Sequence, residues 1–61
     1  MTELFAEITE RATRAVHCLL VARQAGDDFL ASVHEAELEG LARVAAEHGL
    51  RIPLLEGYTA A

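Results

Sequence analysis

Lysine, asparagine and tryptophan are absent from this 61-residue chain, and cysteine, proline and tyrosine occur once each. Each scarcity removes a class of explanation. A lone cysteine, Cys18, cannot close an internal disulfide, so no secreted disulfide framework is expected. One proline and four glycines are too few for a low-complexity or disordered chain. The opening stretch MTELFAEITE begins with acids and lacks the basic start of a signal peptide. No apolar run approaches membrane-spanning length. A cytoplasmic protein without membrane contact is therefore expected.

What remains is rich in small and aliphatic residues. The chain is 52% hydrophobic with only two Phe, so its apolar content is mainly Ala, Leu and Val. That content suits close helix packing better than a sheet. All basic residues are arginine, which together with abundant alanine reads as GC-rich coding rather than chemistry. The net charge of −5 is unevenly placed. Residues 1–26 balance Glu3, Glu7 and Glu10 against Arg11, Arg14 and Arg23, and Arg51 balances Glu56 in the tail. Residues 27–49 set six acids against Arg43 alone and carry the whole excess. A nucleic-acid reader needs the opposite sign on its docking face.

The periodicity predicts one all-α domain over residues 1–61: a first helix over 2–25, a turn at 26–27, a second helix over 28–48 and an apolar tail over 49–61. Thr2 is a suitable N-cap and Gly26 a suitable left-handed C′ residue. Glu7–Arg11 and Glu10–Arg14 are i,i+4 pairs in the favourable order, each contributing about 0.3 kcal/mol. Phe5, Ile8, Ala12, Ala15, Leu19 and Ala22 recur in alternating steps of three and four, an unbroken heptad seam. Ala31, His34, Leu38, Leu41, Ala45 and His48 repeat the rule. Folding the two seams about the turn sets Leu19 against His34, Ala15 against Leu38, Ala12 against Leu41 and Phe5 against His48. Large side chains then mostly face smaller or polar-tipped ones, as interdigitating layers require. The expectation is an antiparallel helical hairpin. A rival reading starts the second helix later, at the capping-box pattern of Ser32 to Glu35.

A two-helix hairpin cannot cover every apolar residue. Val16, Leu20 and Val21 fall outside the first seam, and Phe29, Val33, Ala36 and Gly40 form a second stripe on the other helix. After Gly49, Ile52, Leu54, Leu55 and Tyr58 make the tail too apolar to hang free. Val16, Leu20, Phe29, Val33, Gly40, Ile52, Leu54, Leu55 and Tyr58 are read as an association surface. Two hairpins forming a four-helix bundle would cover it.

Candidate chemistry is sparse. Residues 41–58 place Ala45, Gly49 and Leu55 where a DNA-reading helix-turn-helix needs small and apolar residues. The would-be recognition helix, IPLLEGY, contains Pro53 and carries no base, so the groups that contact phosphates and base edges are missing. His34 and Glu37, one turn apart, could form half of a carboxylate–histidine metal site, although the order is the reverse of the bundle motif. His17 projects from the opposite side of the first helix. Cys18 has no base facing it, and no phosphate loop, zinc spacing or catalytic triad is present, so no enzyme and no cofactor are expected. Arg11, Arg14 and Arg23 form a partial basic edge that could meet RNA or DNA. In length and layout alone the hairpin resembles the small RNA-binding four-helix dimers of the ROP type; no motif is shared. The reading that follows is a non-enzymatic interaction and oligomerisation module whose partners are itself and another protein. Nucleic-acid binding and a His34 metal site stand as alternatives.

Overall fold

The short segment Ala25–Asp27 organises the molecule. In the computed structural model, which describes residues 2–58, helix α1 (Thr2–Gln24) and helix α2 (Asp28–Glu47) are joined by this turn. Gly26 has φ of 72°, the left-handed region in which a Cβ is disfavoured. The Asp27 amide donates to the Ala22 carbonyl at 2.8 Å and the Gly26 amide to the Arg23 carbonyl at 3.1 Å, a Schellman arrangement that satisfies the last carbonyls of α1. Asp27 also starts α2: its Oδ1 accepts the Leu30 amide at 3.0 Å, and its carbonyl accepts the Ala31 amide at 3.0 Å. One residue thus closes one helix and caps the next. This strong cap upstream explains why α2 begins at Asp28 and the Ser32–Glu35 pattern lies inside it. The capping role expected of Thr2 falls on a side chain outside the described residues.

The two helices pack along their length. Ile8, Ala12, Ala15, Leu19 and Ala22 of α1 are buried, as are Ala31, Leu38, Ala42 and Ala45 of α2. Two features of the expected seam need correction. Phe5 is 42% exposed and His48 is exposed, so the outermost layer does not form. His48 is the C-cap of α2, and a second Schellman arrangement at Gly49, with φ of 67°, turns the chain away there. Among the described residues nothing continues α2 far enough to cover Phe5. On α2 the buried residue after Leu38 is Ala42, with Leu41 only half-buried. An α-helix drifts relative to a strict heptad, and a third element covers the Ala42 side.

That element is the tail. Pro53–Tyr58 form a 3₁₀ helix, η1, which packs on α2 and also touches α1. Ile52 and Leu55 are 4% and 2% exposed and join the core cluster, with Leu50 and Tyr58 packed beside them. Among the described residues all regular structure is helical, and no helix is long and apolar enough to cross a membrane.

Two glycine substitutions should move stability in opposite directions. Gly26→Ala forces a Cβ into the left-handed region and should cost about 1–2 kcal/mol. Gly40 sits within α2 and a Cβ built there meets nothing within 4 Å, so Gly40→Ala should stabilise by about 1 kcal/mol. Thermal melts of the two variants at one protein concentration check both signs.

Candidate interaction surface

A helix turns 100° per residue, so each helix of a hairpin presents a seam, two flanks and a back. Arg23 of α1 ion-pairs with Glu35 of α2, which places both on the same flank. The tail lies on that flank too, lower down, where Ala42, Ala46, Leu50, Ile52 and Leu55 line one shallow depression. Among the described residues no further segment covers the other flank. Near the turn it holds a groove of about 350 Å³ lined by His17, Cys18, Val21, Ala22, Ala25, Asp27, Leu30 and His34. Below that groove lies a charged depression lined by Glu7, Glu10, Arg11, Arg14 and Glu37.

The association residues read from the sequence are divided by this geometry. Leu20 (52%), Phe29 (75%), Val33 (44%) and Leu54 (39%) are exposed, and Val16, Gly40 and Tyr58 are half-buried. Ile52 and Leu55 are not available to a partner, because the tail buries them against its own helices. The structure adds Val21 and Leu30, 50% and 43% exposed, as walls of the groove. Their signal was present in the helical angle: each lies outside its seam, on the side where no other apolar segment folds back among the described residues.

The polar candidates are placed as follows. His34 Nδ1 lies 3.4 Å from Glu37 Oε1, with the ring half-buried and the carboxylate exposed. Among the described residues no three His, Cys, Asp or Glu side chains converge as a metal-binding group. His17 and His34 line the same groove, so the hairpin brings to one depression two histidines that the sequence reading set apart. The arginine edge is engaged with carboxylates: Arg11 with Glu7 at 3.4 Å, Arg14 with Glu10 at 3.1 Å, and Arg23 with Glu35. Arg51 meets Glu56 at 3.5 Å in the tail. Such exposed pairs add little stability, but they lower the positive potential a phosphate backbone would meet. In residues 41–58, α2 ends at Glu47 and the following element is the six-residue η1, whose length and 3₁₀ geometry differ from those of a recognition helix.

No protein-family model, curated protein or solved structure matches this chain. The functional reading therefore rests on the geometry of the surface.

Proposed function

We propose that this chain is a non-enzymatic, self-associating helical hairpin that serves as a protein-interaction module, with two copies forming a four-helix bundle. The observation that carries the reading is the concentration of exposed apolar side chains at the turn end, namely Leu20, Val21, Phe29, Leu30 and Val33. Isolated exposed leucines are ordinary, but five exposed bulky apolar side chains at one end of so small a chain, spread over more than one face, support a contact role for that end. The shape supports the same reading. The Cα atoms span 37 × 24 × 14 Å, a slab one helix thick, whereas stable domains close their core with a second layer. The accessible surface is 4382 Å² for a 6.6 kDa chain. A compact monomer of that mass exposes about 3,900 Å².

Sedimentation equilibrium tests the proposal directly. The expected species has about twice the 6.6 kDa chain mass and dissociates on dilution. A 6.6 kDa species that persists up to about 200 μM, a concentration that detects even weak dimers, overturns it.

A further inference from the structure

We infer that the back of α2, an apolar stripe bordered by acids, docks a basic amphipathic helix of another protein. The inference does not depend on the self-association proposed above; Leu20, Val21 and Leu30, on other faces, remain for that contact. Phe29, Val33, Ala36, Gly40 and Val44 follow one another in steps of four, three, four and four. At 100° per residue they fall within an arc of about 80° on the side of α2 away from the buried Leu38. The tail packs over Ala42 and Ala46, outside this arc. Phe29, Val33 and Val44 are 75%, 44% and 37% exposed, and Ala36 is exposed. Among the described residues no segment covers the stripe. From Phe29 to Val44 it is about 22 Å long, which matches a partner helix of about four turns. Gly40 has no side chain and a Cβ built there meets nothing within 4 Å, so a second helix can approach the backbone closely at that point.

Charge selects the occupant. Asp28 and Glu39 border the stripe on one side and Glu37 on the other, and Glu47 closes its C-terminal end. Among the described residues Asp28, Glu39 and Glu47 have no ion-pair partner. Arg43, the one base of α2, stands four residues from both Glu39 and Glu47, so the border stays negative. A second copy of the chain does not complement this border. Its α2 would bring acid against acid, and its Arg11, Arg14, Arg23 and Arg51 already meet Glu7, Glu10, Glu35 and Glu56. Phosphate backbones and anionic lipid surfaces carry the same sign as the border and are repelled. The complementary ligand is a helix with its own apolar stripe and with Lys or Arg along both margins, laid lengthwise on α2.

The test titrates the full chain into three fluorescently labelled synthetic peptides of about 18 residues and reads anisotropy. The first is a helix with a leucine and alanine stripe flanked by lysines. The second has the same composition in scrambled order, and the third replaces lysine by glutamate. The lysine helix should bind at least about tenfold more tightly than either of the others, and about fivefold more weakly when salt rises from about 50 to 500 mM. Ala36→Arg should weaken its binding by about tenfold or more, and Val33→Ser by about fivefold. The Glu39→Gln/Glu47→Gln double variant should weaken it about fivefold and flatten the salt dependence. Leu20→Ser, on the other helix, should change it by less than about twofold, with circular dichroism confirming helicity throughout. No binding of the lysine helix at about 200 μM overturns the inference. Equal binding of the scrambled peptide overturns it too, since charge without a stripe would then suffice. A loss with Leu20→Ser as large as that with Val33→Ser moves the site off α2 and has the same consequence. Sedimentation of Ala36→Arg excludes or identifies a second copy: an unchanged oligomeric state is expected, and loss of a wild-type dimer would put the second copy on this face and overturn the inference. A monomeric wild type that binds the lysine helix supports this inference while self-association falls.

Discussion

Leu38→Ala should lower the unfolding free energy by about 3 kcal/mol, and Leu38→Glu should leave the chain unfolded. Leu38 is 0% exposed and, with Leu19, is one of the two largest fully buried side chains. Much of the remaining core is alanine: Ala12, Ala15, Ala22, Ala31, Ala42 and Ala45. Alanines allow the helices to approach closely, but they have no length with which to fill a vacancy. A cavity at Leu38 therefore stays open, and its lining loses contacts outright. The loss is large against the total, because a chain of this length holds only about 3–9 kcal/mol of stability. A glutamate there would have to bury an unpaired carboxylate, since the core has no buried polar partner among the described residues. Urea unfolding followed by circular dichroism, at one protein concentration because a dimer adds concentration-dependent stability, measures the effect. A loss under about 1 kcal/mol for Leu38→Ala would show that the helix pair is not held together at this layer.

Leu55→Ala should cost about 2–3 kcal/mol, whereas Leu54→Ala should stay within about 0.5 kcal/mol of the wild type. The two leucines are adjacent in sequence and differ only in what the tail's geometry does with them. Leu55 is 2% exposed and joins Ile52 over Ala42 and Ala45, and its amide donates to the Ile52 carbonyl at 2.9 Å. Leu54 is 39% exposed. Truncating Leu55 should therefore release η1 and uncover the flank of α2 that it shields. Hydrogen exchange should then quicken at the Leu50 and Leu55 amides before it does at α1. Equal effects from the two substitutions would mean that the tail does not hold the packed position described.

The contrast between Leu54 and Leu55 also marks where a sequence reading stops. Helices, caps and the inner seam are written in local terms. Gly26 and Gly49 allow the left-handed turn, Asp27 supplies the capping oxygen, and the steps of three and four bring Ile8 to Ala22 and Ala31 to Ala45 onto single faces. These features depend on neighbours one or two turns away, so the order of residues is enough to specify them. Where the seam frays was not legible, because the fates of Phe5 and His48 depend on the direction in which the chain leaves Gly49. The exchange of Leu41 for Ala42 combined a local cause, the drift of the helix against a strict heptad, with the tail that covers Ala42.

The amino-acid sequence by itself determined a helical hairpin with an alanine-rich seam and an apolar tail, since periodicity and capping chemistry act within a few residues. Only the tertiary structure decided which flank the tail covers, and with it that Ile52 and Leu55 are core while Val21 and Leu30 are left open. That choice is made by packing between segments far apart in the chain, where shape and volume rather than local propensity determine which apolar residue is buried.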